Sequence, residues 1–311
     1  MEGADEQTVP ARHRVDDSAV EVGPHAAVAA ERARLEHLRW ERFGLRPLGA
    51  TVGAEVGGLD LTGPLADDVV DELRRALLAH KILVFRDQPM TPAQHVALTE
   101  RFGPAGIHPL MAPSPDHPGV EHVERGTGST GFENAWHSDI SWHPTPAMGT
   151  ILHALSVPAA GGDTLFADAA AAHDALPADR RDRLAGLTAA HDFGRVVAHQ
   201  RSADELDDLR RRHPASHHPV VRTHPESGRR ALYVNEYFTA SIDGLDPDEG
   251  DELLADLCRW IERPEFQFRL RWEDHTVALW DNRTTQHYAC SDYWPATRIM
   301  ERTLIGGDAP R

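Results

Sequence analysis

The hydrophobic pattern changes period several times along the chain. Leu65, Val69, Val70, Leu73, Leu77 and Leu78 follow i, i+4, i+8 spacing, which predicts an amphipathic helix over 65–81. The next residues, Ile82–Asp87, open with a continuous apolar run typical of a buried strand. Thr91 followed by Pro92 marks a second helix start, with Thr91 as N-cap and Pro92 in the first turn, running to Phe102. Upstream, Leu45–Leu61 mixes β-branched residues with glycines and predicts short strands joined by a tight turn.

From Thr150 the pattern is strand-like, in the runs TILHALSVP, DTLFAD, AAHDF, PVVRTH, RALYVN, FQFRLRW and TVALWDN. Helical stretches interrupt it at Ala169–Leu187 and Pro247–Ile261. THPESGRR, between Pro219–Thr223 and Ala231–Asn235, reads as a hairpin turn. Many short strands with a few peripheral helices predict a mainly β protein, a double-sheet barrel of the jelly-roll kind.

Two stretches lack such a pattern. Residues 1–38 are rich in Ala, Glu and Arg and are expected to form a disordered N-terminal arm, ending in a short helix across Ala26–Leu38. A single domain over 39–311 follows. Within it, residues 103–135 carry much Pro, Gly and His and little period; a loop of that length predicts an active-site lid.

Composition narrows the function. The balance of 32 basic against 49 acidic residues gives a net charge of −17, which excludes a nucleic-acid binder and an anionic membrane surface as partners. It does not exclude a small anionic substrate, because a buried arginine sets its local field. No run approaches the roughly 20 apolar residues that span a bilayer. Two cysteines are too few for a disulfide scaffold, so a reducing cytoplasm is expected. Assembly into a homo-oligomer is left open. With 20 histidines in the chain, no single histidine carries weight.

Two local features carry chemistry. In AWHSDISW, His137 and Asp139 are two residues apart, and on an extended segment both point to one face, where they could ligate one metal. Alone, this is as well read as a surface histidine beside an aspartate. In the second feature His287 is followed by Arg298 and Arg302, whose even spacing places both on one side of a strand. Inward-facing arginines are costly unless they meet anions; the bland alternative is a solvated strand face. Together the features make a set. Two His and one carboxylate with three open positions form the facial triad of non-haem Fe(II) oxygenases, and a nearby guanidinium would hold the far carboxylate of a chelating cosubstrate. A zinc hydrolase could use the same three ligands but has no use for the arginine. A non-catalytic jelly-roll binding protein would have no use for the set.

The chain resembles the taurine dioxygenase family of Fe(II)/2-oxoglutarate-dependent dioxygenases. The likeness runs from about Phe43 to Pro310, through GAEVGGLDL, HKILVFRDQ, WHSD, PAAGGDTLFAD, HPVVRTHPESGRRALYVNEYFT and ALWDNRTTQHYACSDYWPATRIMER. It implies a double-stranded β-helix and the cosubstrates 2-oxoglutarate and O2. It further implies His137, Asp139 and His287 as the Fe(II) ligands, with Arg298 and Thr164 on the distal carboxylate of 2-oxoglutarate. Arg302 and His108 match residues on the substrate sulfonate, and Phe238 a wall of the substrate pocket. An aspartate at 139 implies oxygenation over halogenation. The chain departs from the taurine enzyme at Met111, Val196 and Val197, around the amine end of taurine. These departures imply a larger or more apolar anionic substrate: an alkyl sulfonate, sulfate ester, phosphonate or carboxylate.

Overall fold

The computed structural model describes residues 12–15, 18–21, 25–110, 117, 119–129 and 134–311. The central element is an eight-stranded sheet. Its order is Gly44–Pro47, Ala54–Gly57, Ile82–Phe85, Val277–Asp281, Gly149–Ser156, Arg298–Ile305 and Ala105–Gly106, with Glu121–Arg125 also paired to Arg298–Ile305. All pairings are antiparallel except that of Ala54–Gly57 with Ile82–Phe85. A three-stranded sheet of Gln267–Leu270, Thr164–Asp168 and Thr285–Ala289 faces it.

Side-chain alternation explains the packing. Ile82, Val84, Ala154, Ala278, Trp280 and Met300 of the large sheet meet Phe166 and Phe268 of the small one in a single apolar cluster. Residues of the opposite parity on the same strands, Leu83, Phe85, Ile151, Val277, Leu279 and Ile305, point the other way. They pack on Leu73, Ala76 and Leu77 of helix Asp67–His80 and on Leu98 and Phe102 of helix Pro92–Phe102. Both faces of the strand starting at Ile82 are therefore covered, which is why its sequence is apolar without alternation. Thr91 caps its helix in a reciprocal box with Gln94, as the Thr-Pro start predicts.

Several expectations need correction. The 169–187 segment is two helices, Ala169–Asp174 and Ala178–Leu184, because Pro177 cannot continue the first. The expected arm is not wholly a tail: Arg12–Val15 pairs with Ser18–Glu21, and helix Ala26–Glu36 is docked through buried Glu31, 2.9 Å from Lys81 Nζ. The expected lid is not one loop, since it contains Ala105–Gly106 and Glu121–Arg125, both in the large sheet. Residues 111–116, 118 and 130–133 of that stretch lie outside the described residues. Among the described residues, no helix is long and apolar enough to cross a membrane.

Candidate active site

The two distant histidines meet through the backbone. His137 N–H donates to the His287 carbonyl at 3.0 Å, and His287 N–H returns the bond at 2.8 Å, forming an isolated antiparallel bridge. The imidazole centroids are 4.2 Å apart. Beyond His137 the chain does not stay extended. It turns at Asp139–Ile140, with Ile140 in the left-handed region at φ 45°, while Ser138 Oγ holds the Thr285 carbonyl at 2.6 Å. The turn, rather than the expected i, i+2 alternation, brings the Asp139 carboxylate to the histidines. His287 Nε2 lies 3.9 Å from Asp139 Oδ1, and donor atoms of His137, Asp139 and His287 fall within 4.8 Å of one another.

A buried polar frame orients this carboxylate. Asp139 Oδ2 accepts from Thr150 Oγ1 at 2.6 Å; Thr150 Oγ1 in turn accepts from Asn282 Nδ2 at 2.9 Å. Asn282 Oδ1 accepts from Trp280 Nε1 at 2.9 Å and from the Asp139 N–H at 3.3 Å. Arg302 Nη1 lies 3.2 Å from Asp139 Oδ1. Burial works to raise the Asp139 carboxyl, but His287, Arg302, His137 and the Thr150 hydroxyl overturn it and hold the group well below the usual carboxylate range. Burial, reinforced by His137, pushes His287 down to about 3, so its imidazole is neutral. His137 Nδ1 lies 2.9 Å from the Ala135 carbonyl; a carbonyl only accepts, so Nδ1 carries the proton and Nε2 is left basic. Two imidazoles and one carboxylate in this state fit a divalent iron ion.

Arg298 and Thr164 come together through a residue not singled out from sequence. Trp272 Nε1 donates to Thr164 Oγ1 at 2.9 Å, and the Arg298 guanidinium sits 5.5 Å from the Trp272 ring centroid. Gly162, at φ 73°, lines the same place; a Cβ there would lie 3.1 Å from the Tyr293 ring and 3.4 Å from Arg298 Cδ. The result is a buried cation with a hydroxyl beside it, suited to a carboxylate.

The other substrate candidates divide. Phe238 packs edge-on to His137 at 6.0 Å, in a cluster with Ile140, Trp142, Ala147 and Leu304, against which Val196 and Phe193 pack. Val197 ends helix Phe193–Val197, half-buried and outside that cluster. His108 is half-buried with its ring 6.3 Å from Trp142, and its Nδ1 accepts from the Leu110 N–H at 3.1 Å. Met111 lies outside the described residues. Arg302 is engaged by Glu121, whose Oε2 accepts from Nη2 at 2.6 Å and from Nε at 2.9 Å. Sequence reasoning missed Glu121, Thr150, Trp272, Asn282 and Tyr237, the last 5.4 Å from the His137 ring. Thr150, Trp272 and Asn282 fall within the strand-like runs TILHALSVP, FQFRLRW and TVALWDN, a signal for strand but not for a site.

Two buried histidines and a buried aspartate converging on one point, on a fold of paired β-sheets that also buries Arg298 over Trp272, are what a non-haem iron oxygenase needs. Residues 44–304 match the model of the taurine catabolism dioxygenase TauD, TfdA family. The chain belongs to that family and is a 2-oxoglutarate-dependent dioxygenase. It is 33% identical over 275 residues to the alpha-ketoglutarate-dependent sulfate ester dioxygenase of Pseudomonas putida, covering 86% of this chain and 90% of that one. It is 34% identical over 284 residues to the (S)-phenoxypropionate/alpha-ketoglutarate-dioxygenase of Sphingobium herbicidovorans, covering 86% and 96%. Among solved structures, a taurine dioxygenase from Burkholderia xenovorans superposes with TM-score 0.76 at 35% identity, covering 87% of this chain and 91% of that one. AAD-2 in complex with Mn(II) and N-oxalylglycine gives 0.76 at 30% identity, covering 87% and 99%.

Proposed function

We propose that the chain uses Fe(II), held by His137, Asp139 and His287, with 2-oxoglutarate and O2 to hydroxylate a carbon of a small anionic substrate. The two facing sheets support a double-stranded β-helix as the scaffold. The observation that carries the reading is the convergence of three buried donors from His137, Asp139 and His287; the buried Arg298 guanidinium over Trp272, whose ring bonds Thr164, supports it. N-oxalylglycine, bound with Mn(II) in the related AAD-2 structure, differs from 2-oxoglutarate only in having NH in place of a methylene, which supports the same pairing here. Relatives named for sulfate esters and phenoxypropionate support an anionic, partly apolar substrate class: sulfonate, sulfate ester, phosphonate or carboxylate. The acidic chain supports neither nucleic acid nor an anionic membrane as partner, and free Cys258 and Cys290 support a reducing cytoplasm.

When bound, iron and 2-oxoglutarate supply the oxidising chemistry, with succinate and CO2 as co-products. The chain supplies position. Arg298 and Thr164 hold the distal carboxylate of the keto acid. Thr150 and Arg302 keep Asp139 ionised and aimed at the centre. Ile140, Trp142, Phe238 and Val196 wall the approach with apolar surface that excludes water and favours an apolar substrate body. Arg302 meets the substrate anion.

The test is 2-oxoglutarate-dependent O2 uptake and succinate release across alkyl sulfonates, sulfate ester, phosphonate and phenoxy-acid substrates, with taurine included. Anaerobic Fe(II) plus 2-oxoglutarate should give a visible charge-transfer band. A chain active with Zn(II), or forming no succinate with any of these, would show the reading to be wrong.

A further inference from the structure

The strand Arg298–Ile305 has a second face. Arg298, Met300, Arg302 and Leu304 point to the active-site side, whereas Glu301 and Thr303 point under helix Pro92–Phe102. His153 stands opposite Glu301 in the register of strand Gly149–Ser156, and His95 descends from the helix. His95 and His153 are fully buried, and the Glu301 side chain is 13% exposed. One ring nitrogen of each histidine and one Glu301 oxygen lie within 4.8 Å of one another. These residues belong to none of the machinery described above.

Their hydrogen bonding is incomplete in a particular way. His95 Nε2 lies 3.2 Å from the Ile151 carbonyl and 3.1 Å from Thr303 Oγ1. The carbonyl only accepts, so Nε2 carries the hydrogen and Nδ1 keeps its lone pair. Among the described residues, His95 Nδ1, both nitrogens of His153 and Glu301 Oε2 have no hydrogen-bond partner. His153 Nδ1 is 3.9 Å from Glu301 Oε2, too far for a hydrogen bond. Buried polar atoms are normally satisfied, and four in one cluster ask for a common partner. An imidazole that gives its N–H to a backbone carbonyl and keeps the other nitrogen bare is the arrangement of a metal ligand. Burial and the neighbouring His153 push His95 down to about 4, so the ring is neutral, as ligation requires.

We propose that His95, His153 and Glu301 form a second metal site, which takes a divalent transition ion such as Zn(II), with water as a fourth ligand. Tetrahedral bonds of roughly 2.1 Å set donors about 3.4 Å apart, so donors now within 4.8 Å of one another close by up to about 1.4 Å around an ion. The ion ties helix Pro92–Phe102 to the two adjacent strands that carry Thr150 and Arg302 on their other faces. It is a structural clamp behind the catalytic centre.

The experiment is metal stoichiometry on the intact chain, with the first centre disabled by His137→Ala plus Asp139→Ala. After chelator treatment, Zn(II) loading and desalting, this double variant should retain one equivalent and gain in melting temperature. Co(II) in its place should give tetrahedral visible bands, with X-ray absorption showing two imidazoles and oxygen. Adding Glu301→Gln should abolish both the retained equivalent and the thermal gain. Failure of the double variant to retain any metal overturns the proposal, as does a retained ion without two-imidazole ligation or one that survives Glu301→Gln. The Co(II) readout needs no change at the new site, so it decides the matter even where Glu301→Gln does not fold. None of these readouts requires turnover, so they stand apart from the test of the oxygenase reading.

Discussion

Arg302 joins two carboxylates, with Nη2 2.6 Å from Glu121 Oε2 and Nη1 3.2 Å from Asp139 Oδ1. The guanidinium proposed to meet the substrate anion is therefore already paired, and an incoming sulfonate or carboxylate must compete with Glu121 for it. Glu121→Gln removes the competitor while keeping the shape. It should lower KM for anionic substrates by about tenfold, taking charge-assisted hydrogen bonds at about 1.5–3 kcal/mol with partial compensation by water. Steady-state KM for the best substrate checks this; an unchanged or raised KM would place the anion elsewhere. Arg302→Ala should do the reverse, leaving two buried carboxylates unbalanced and abolishing activity.

Thr150 would act on the proposed Fe(II) through Asp139. Thr150→Val keeps the strand shape and deletes the 2.6 Å hydrogen bond to Oδ2. Loss of a partner that orients a ligating carboxylate should weaken metal binding by about 10–100-fold. Isothermal titration with Mn(II) under anaerobic conditions measures it, without any need for turnover.

Trp272 separates two contributions to the proposed cosubstrate site. Arg298→Ala should raise the KM for 2-oxoglutarate by more than about thirtyfold, since removing one member of a buried charge pair costs about 2–5 kcal/mol. Trp272→Phe keeps an aromatic face under the guanidinium but loses the 2.9 Å bond to Thr164, so a rise of only about fivefold is expected, near 1 kcal/mol. Equal effects of the two would contradict the assignment.

Acid stability should depend on Asp281. Its carboxylate accepts from Arg283 at 2.7 and 2.8 Å and lies 2.9 Å from His224 Nε2. Burial works to raise its pKa, but Arg283 and His224 overturn that and hold it well below the ordinary value. The unfolded chain then binds the proton more readily than the folded one. The contribution is whole above an unfolded pKa of about 3.9 and fades as pH falls below it. Asp281→Asn should cost about 1.5–3 kcal/mol at pH 7, by weakening charge-assisted hydrogen bonds while Arg283 keeps Glu226 at 2.8 Å, and should flatten the decline in stability below about pH 4. Denaturant melts from pH 3 to pH 7 test both.

The residues of the candidate metal centre were legible because ligands must be particular side chains, and H-x-D with a distant H and R is a rare combination. Their frame was not. Thr150 reads as an ordinary β-branched strand residue, and Glu121 matters only because strand Glu121–Arg125 pairs with Arg298–Ile305 in the register that sets Glu121 against Arg302. That strand was expected to be loop because its polar residues hide the alternation. Strand Thr285–Ala289 was not singled out, for the same reason: Thr285 and Gln286 are polar yet buried, with hydroxyl and amide donating to the Asp281 and Val234 carbonyls. Helix Ala203–Arg212 escaped because it buries no side chain, so no apolar stripe marks it. The hydrophobic strands and the helices that pack on them were plain, since burial on a sheet leaves its period in the sequence.

The strand Arg298–Ile305 obeys two masters by parity, its even residues facing the candidate active site and its odd residues the histidine pair behind it. A single deletion just ahead of Arg298 would swap these allegiances, turning Glu301 toward the oxidising chamber and Arg302 toward His95. The segment can therefore evolve by replacement but not by changes in length, and any lineage that diversifies its substrates must do so from the loops in front of it.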